Sequence, residues 1–255
     1  MKIATWNVNS LRVRIDHVID WLKREHADVL ALQETKTKDE DFPIDAFTEL
    51  GYKVQFSGQK TYNGVALISR QEMTDVRTEL SGLNDPQRRV LAATVDGVRI
   101  HNLYVPNGQS VDSEKYQYKL GWLEALRNQV SLELADYPNS ILLGDFNIAP
   151  EDRDVHDPAA WEGKVLCSHS ERDALKALLD LGFVDVFRSF DQEDASYSWW
   201  DYRAAAFRRK MGLRIDLILA SGSLKDSCTA SRIDVEPRRL ERPSDHTPVI
   251  AEFTV

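Results

Sequence analysis

Short apolar blocks alternate along this chain with segments whose hydrophobic residues recur at helical spacing, the pattern of a sheet protein with helical crossovers. Ile3 to Val8 reads as a buried first strand. Ser10 then stands where it can cap a helix whose apolar residues Leu11, Ile15, Val18, Ile19 and Leu22 follow a helical period, and Val29 to Gln33 reads as the next strand. Strand, helix, strand in that order predicts an α/β architecture. Tyr52 to Phe56 and Val65 to Ser69 flank Tyr62-Asn63-Gly64, a turn signal between strands. Val90 to Val95 and Val98 to Val105 straddle Asp96-Gly97, a strong hairpin signal, so antiparallel pairing coexists with crossovers.

The spacing of Leu123, Leu126, Val130 and Leu134 predicts a long helix over Ser113 to Ala135, ended by Pro138. The apolar run from Ser140 to Leu143 leads to Gly144 and Asp145 as a strand. Ser170 with Asp173 reads as a capping box ahead of Leu175, Leu178 and Leu179, with Gly182 placed to terminate that helix. Strands near Val184 to Phe187, Arg214 to Ala220 and Val249 to Phe253 complete the pattern. No Gly/Ser linker or compositional break interrupts it, so residues 1–255 are expected to form a single domain. Trp6-Asn7-Val8-Asn9 and Asp145-Phe146-Asn147 echo each other at strand ends, as the halves of a sandwich would.

Composition narrows the class. With 42% hydrophobic and 29% charged residues the chain can bury a substantial core. No apolar run approaches the roughly 20 residues that a membrane span needs. The first residues, Met1-Lys2-Ile3-Ala4-Thr5-Trp6-Asn7, turn polar too soon for a signal peptide, and an unprocessed cytoplasmic protein is expected. Cys167 and Cys228 form no CxxC pair and have no histidines at metal spacing, which argues against a disulfide framework or a zinc site.

The formal net charge of -9 argues superficially against nucleic acid. Its distribution matters more than its sum. Acidic residues crowd into Lys38-Asp39-Glu40-Asp41, whereas Arg203, Arg208, Arg209, Lys210 and Arg214 follow one another with no acid between them. Arg238, Arg239 and Arg242 form a second basic cluster just before Ser244-Asp245-His246.

Polar residues gather where the apolar strands finish. Asp145 and Asn147, one residue apart after a strand, can aim at one substrate atom, because side chains at i and i+2 of an extended chain share a side. Asn7 and Asn9, Gln33 and Glu34, and Asp245-His246 occupy similar ends. Asp216 lies inside the apolar run Arg214 to Leu219; a carboxylate there needs a partner, and His246 would serve. Several oxygen ligands, a base and a histidine without cysteine ligands favour Mg²⁺ or Mn²⁺, and hard-cation chemistry suits phosphate substrates. The absence of GxxxxGK[ST] argues against a P-loop nucleotidase.

Taken in order, Trp6-Asn7-Val8-Asn9-Ser10, Leu32-Gln33-Glu34-Thr35-Lys36, Gly64-Val65-Ala66-Leu67, Tyr104-Val105-Pro106-Asn107-Gly108, Gly144 to Pro150, Ser198 to Arg203, Gly212 to Asp216 and Ser244 to Pro248 resemble the exonuclease III family of DNA repair nucleases. That family lies within the larger group that includes DNase I and sphingomyelinase. The resemblance spans nearly the whole chain. It implies a four-layer α/β sandwich, two packed mixed sheets flanked by helices, with the active site at one rim.

The resemblance also implies roles. Asn7 and Glu34 match the metal-binding pair; Asp145 matches the residue that activates water, and Asn147 the one that orients it and supports the phosphate. Tyr104 would contact phosphate or the leaving oxygen, and Asp216 would orient His246 against a phosphate oxygen. Asp245 is a candidate second metal position, and some family assignments place the metal nearer Asp145, Asn147 and Asp245. Mg²⁺ is the implied cofactor, with Mn²⁺ as a substitute. Trp199 and Trp200 would line a pocket for an extrahelical abasic sugar, and Leu213 stands where the eukaryotic branch usually has Trp, which suggests a bacterial-type enzyme. Lys36, Arg89, Asn107, Lys115, Arg203, Arg208 and Arg209 are candidate DNA contacts.

The implied partner is double-stranded DNA with abasic sites or 3′ ends, met by a monomer that engages no membrane. A same-fold phosphodiesterase for lipid or small-molecule substrates would keep the metal, Asp and His positions; Trp199, Trp200 and the Arg203 to Arg214 segment favour DNA. A non-catalytic RNA-binding regulator on this scaffold would have lost catalytic positions that Asn7, Glu34, Tyr104, Asp145, Asn147, Asp216 and His246 retain here.

Overall fold

The computed structural model describes residues 1–254. In the first half of the chain the strands are β1 (Lys2–Asn7), β2 (Val29–Gln33), β3 (Lys53–Ser57), β4 (Val65–Ser69), β5 (Thr74–Arg77), β6 (Val90–Val95) and β7 (Val98–Tyr104). In the second half they are β8 (Ser140–Asp145), β9 (Phe183–Asp185), β10 (Asp216–Ser221), β11 (Cys228–Ile233) and β12 (Val249–Phe253). The helices are α1 (Leu11–Glu25), α2 (Ile44–Thr48), α3 (Glu114–Glu133), α4 (Pro158–Trp161), α5 (His169–Leu179) and α6 (Gly222–Lys225), joined by short 3₁₀ turns.

Two six-stranded sheets result, ordered β11-β12-β1-β2-β4-β3 and β5-β6-β7-β8-β10-β9. Each contains one parallel pair, β1 with β2 and β7 with β8, bridged by α1 and α3 respectively. Read outward from these pairs the two sheets have the same strand order, with β1 matching β7 and β2 matching β8, so the echo between Asn7 and Asp145 joins the ends of non-equivalent strands.

Period-two alternation decides which layer each residue joins. Ile3, Val29, Ala31, Val65 and Leu67 of the first sheet meet Leu91, Ala93, Ile100, Ile141, Leu143 and Ile218 of the second in one core. The alternate residues Ala4, Trp6, Leu30, Leu32 and Ile68 face α1 through Val18, Trp21 and Leu22. Leu103, Leu142, Leu217 and Leu219 face α3 and α5 through Trp122, Leu126, Leu175 and Leu178. The four-layer α/β sandwich is therefore what the chain forms.

Three local readings are corrected. Ser10 makes no side-chain cap on α1; its φ of 91° turns the chain sharply there instead. The capping box of α5 is Ser168 with Glu171, two residues earlier than Ser170 with Asp173. Val186 and Phe187 leave the sheet as a 3₁₀ turn after β9 ends at Asp185.

One feature of the second sheet carries a pH dependence. His101 on β7 is enclosed beside Arg99 and Glu133, and burial pulls its pKa down to about 4 although Glu133, with Oε2 at 3.6 Å, favours the charged ring. The unfolded chain binds this proton from about pH 6.5 downward and the folded one only near pH 4, so acidification favours unfolding across that window. The loss is on the order of 3 kcal/mol. Urea midpoints at pH 7 and pH 4.5 should differ more for the parent than for His101→Leu; equal differences would exclude this role.

Candidate active site

The C-terminal ends of β1, β2, β7 and β8 point to the same rim, because each parallel pair brings its two strands out together. β10 runs antiparallel to β8, so its first residue, Asp216, lies opposite Asp145. The rim thus collects Asn7, Glu34, Tyr104, Asp145 and Asp216 by register alone. His246 arrives from the segment before β12, which pairs with β1. Its main chain is fixed by a bond from Trp6 Nε1 to its carbonyl (3.3 Å) and one from its N–H to Ser244 Oγ (3.2 Å). Ser244 Oγ in turn donates to the Asn7 carbonyl at 2.7 Å.

Gly144 is the residue that lets β8 deliver Asp145. Its φ is +142°, and a Cβ there would stand 1.9 Å from the Leu103 carbonyl of the neighbouring strand, so no side chain fits. Beyond Asp145 the chain turns back at Asn147, whose φ of 50° is left-handed and whose N–H donates to Asp145 Oδ1 at 2.9 Å. Asn147 Nδ2 donates to the Val105 carbonyl (3.0 Å), while its Oδ1 accepts from Asn107 Nδ2 (3.0 Å). The carboxamide is therefore held at both ends.

Asn7 Nδ2 bridges Glu34 Oε1 and Asp145 Oδ2, each at 2.9 Å. Asp216 bonds His246 Nδ1 through Oδ2 at 2.9 Å, and Ser198 Oγ donates to the same oxygen at 2.6 Å. The other ring nitrogen, Nε2, faces Asp145 Oδ2 at 3.7 Å. Burial, with Asp216 and Glu34 nearby, pushes the Asp145 carboxyl up, against the opposing pull of His246 and the Asn7 bond. For His246 burial alone would favour the neutral ring, but Asp216 and Asp145 outweigh it and push its pKa up, so the ring is held as a cation. Tyr104 is raised well above the ordinary phenol range by burial and by Glu34 and Asp145, which keeps its hydroxyl a neutral donor. A buried base, a fixed cation and a neutral donor around one point form a setting for displacement at a phosphate.

A cation is accommodated by the same residues. Glu34, Asp145 and His246 each present a ligand atom within 4.8 Å of the others. His246 already bonds Asp216 through Nδ1, so Glu34 and Asp145 are the pair suited to a hard metal, with Asn7 aligning them. Asp245 stands outside this cluster: Oδ1 accepts from Asn9 Nδ2 and Oδ2 from Trp199 Nε1, both at 3.0 Å. Asn147 likewise has its oxygen engaged by Asn107.

Some neighbours sit where the sequence places them and others do not. Trp199 lies beside His246, ring centroids 6.5 Å apart, and forms a wall of the site, backed by the fully buried Leu213. Trp200 does not share that wall; it is buried edge-on against Phe207 with centroids 5.0 Å apart. Gln33 is also removed from the rim, because it is enclosed between the sheets and donates to Asn102 Oδ1 (2.7 Å) and Thr5 Oγ1 (2.8 Å).

The basic segment is not one patch. Arg203, Arg208 and Arg209 are exposed, Arg203 in a pair with Asp201, but Arg214 is enclosed between Asp154 and Asp185. Arg238 is buried over the Tyr202 and Phe207 rings. On the other side of the rim Lys36 pairs with Glu34 (2.9 Å), Arg89 lies over the Tyr104 ring, and Lys115 is exposed. Glu34, Arg89, Tyr104, Asn107 and Lys115 line a groove of about 740 Å³. Ser198, which holds Asp216, stands in the sequence only as the first residue of a matching motif, and nothing there marks it as a partner of Asp216.

Comparison with known proteins agrees with this geometry. The profile of the Endonuclease/Exonuclease/phosphatase family matches residues 4–246. Exodeoxyribonuclease III of Haemophilus influenzae is 36% identical, the match covering 99% of this chain and 100% of that one. The 3′-5′ exonuclease NExo of Neisseria meningitidis superposes with a TM-score of 0.98 at 50% identity over 100% of both chains; a variant of Neisseria NExo, there called a 3′ phosphatase, has been solved with a product DNA hairpin. An AP endonuclease from Archaeoglobus fulgidus gives a TM-score of 0.96 at 42% identity, again over 100% of both. With the rim, the buried Asp216–His246 pair and these matches along the whole chain, the protein belongs to the endonuclease/exonuclease/phosphatase family, as a phosphodiester hydrolase and DNA repair nuclease of the exodeoxyribonuclease III kind.

Proposed function

We propose that the whole chain acts as one catalytic unit, a Mg²⁺-dependent DNA nuclease that cleaves 5′ to abasic sites and removes nucleotides 3′ to 5′ from duplex ends. The observation that carries this reading is the approach of Asp145 to the Asp216-held His246, 3.7 Å apart, with Glu34 joined to Asp145 through Asn7. Both reactions are one hydrolysis at phosphorus. Glu34 and Asp145 would hold Mg²⁺, or Mn²⁺ in its place, which would supply a positive charge to offset that of the phosphate. Asp145 takes the proton of the attacking water, and the Asn147 carboxamide orients that water. His246 and Tyr104 donate to oxygens that gain charge in the transition state.

Duplex DNA is favoured over a lipid or small-molecule substrate by what flanks the rim. The half-buried Trp199, backed by the enclosed Leu213, offers an apolar wall for an unstacked sugar, and cations flank the rim, the exposed Arg203, Arg208, Arg209 and Lys115 and the half-buried Lys36 and Arg89. NExo is described as a 3′ phosphatase as well as an exonuclease, so a 3′-phosphate end is a third substrate for the same site. The reading has the enzyme work as a monomer on chromosomal DNA in a bacterial cytoplasm. Among the described residues no helix is long and apolar enough to cross a membrane.

Purified protein should nick an abasic duplex and shorten a recessed 3′ end in Mg²⁺, and EDTA should stop both. Affinity should fall more than about tenfold between 50 and 200 mM salt, since bound phosphates release counterions. Cleavage undiminished by chelation sinks the metal role, and a flat salt response sinks DNA.

A further inference from the structure

Beneath the rim lies a buried ammonium that the chemistry above leaves unused. Lys119 sits on α3 in line with Tyr116, Trp122 and Leu126, on the face turned toward the sheet, and none of its surface is exposed. Its Nζ donates to the Asn147 carbonyl at 2.6 Å, the Asn107 carbonyl at 3.1 Å and Glu171 Oε1 at 2.5 Å. That uses every proton of the ammonium. The acceptors belong to three separate segments: the loop after β7, the turn after β8 and the first turn of α5.

Glu171 is a rigid anchor. Its Oε1 also accepts from the Leu166 N–H (3.0 Å), and its Oε2 from the N–H (3.1 Å) and hydroxyl (2.5 Å) of Ser168. Tyr116 shares a 2.6 Å bond with that hydroxyl. The loop after β7 lies against the lysine itself: Gly108 has φ +93°, and a Cβ there would stand 3.2 Å from Lys119 Cδ.

The two carbonyls that Lys119 holds both lead to one carboxamide. Asn147 has left-handed backbone, which asparagine tolerates better than other non-glycine residues, and the turn aims its carbonyl at Lys119. Asn107 supplies the Nδ2 that fixes Asn147 Oδ1. We infer that Lys119 is a positioning residue for hydrolysis: by tying the carbonyls of Asn147 and Asn107 to Glu171, it sets the orientation in which the Asn147 carboxamide meets the reacting water and phosphate. The inference rests on the nuclease reading and on the role of Asn147 in it.

Breaking the pair from one side would strand a buried charge and confuse stability with function. The test therefore removes both charges, as Lys119→Met with Glu171→Gln, and measures Tm, kcat and KM on an abasic duplex in Mg²⁺. The variant should stay folded, with kcat lower by roughly tenfold to a hundredfold and KM within about threefold, because a displaced group costs rate more than binding. The same two changes made in an Asn147→Ala background should cost less than about twofold more, since the group they position is gone.

An equal factor in both backgrounds, or a kcat within about twofold of the parent, overturns the inference. Should the pair not fold, Lys119→Gln, which loses the charge but keeps an amide donor, carries the same comparison; failure of both to fold makes Lys119 purely structural and overturns it too. An inactive parent protein would sink the nuclease reading, whereas an active parent with an unaffected variant sinks only this inference.

Discussion

Asp145→Asn should bind abasic duplex as the parent does and cleave it about a thousandfold more slowly or worse. The substitution changes almost no volume, so its effect isolates chemistry. Asparagine can still accept the Asn147 N–H at Oδ1, now 2.9 Å away, but it has no basic oxygen to take a proton from water. Where Asp145 Oδ2 now accepts from Asn7 Nδ2, an amide nitrogen would set donor against donor. The charge shared with Glu34 toward a cation is lost as well. Single-turnover cleavage beside a gel-shift titration separates the two quantities; turnover within tenfold of the parent would remove Asp145 from the role of base.

His246→Gln should lower kcat by about a hundredfold to a thousandfold, the cost of losing a preorganised donor to transition-state charge. Asp216→Asn should fall in the same range, although Asp216 is fully buried and reaches the substrate only through the imidazole. Without that carboxylate the cationic ring loses the partner that most favours its charge, and only Asp145 and, more weakly, Asp245 are left to oppose burial. Because the two residues act as one device, the double variant should be little worse than the poorer single one. Multiplying losses in the double variant would show that each acts separately.

The fold could be read from the sequence wherever a strand was buried on both faces, since β2, β4, β6, β8, β10 and β12 are mostly apolar runs, while β1 and β7 mix apolar with buried polar residues and were legible from their neighbours and from the Asp96-Gly97 turn. β5 and β11 escaped because they are edge strands: every residue of Thr74–Arg77 is exposed, and Cys228–Ile233 is half polar with only Ser231 buried, so neither shows an apolar period. The capping box of α5 was misplaced because Ser170-Asp173 and Ser168-Glu171 fit one spacing, and only the buried Lys119 requires the glutamate.

At the site the same logic holds. Residues ending strands converge because register dictates it, which is why Asn7, Tyr104, Asp145 and Asp216 were legible. Trp199 and Trp200 were not separable, since adjacent residues of an extended segment face opposite ways and nothing in the sequence says which faces the rim. Arg214 looked like part of a basic surface, yet its two carboxylate partners, Asp154 and Asp185, are distant in sequence. Lys119 did leave a trace: it occupies an apolar-stripe position of α3, where a charge has to be paired.

The site joins residues distant in sequence, Asn7 on β1 and His246 just ahead of β12, the strand that closes beside β1. During synthesis the first sheet therefore stands with β1 unpaired on one side until β12 has left the ribosome. No fragment that stops before residue 246 can contain the imidazole, however well its earlier strands have formed. A product truncated before that point would leave the edge of β1 unpaired and the site without its imidazole.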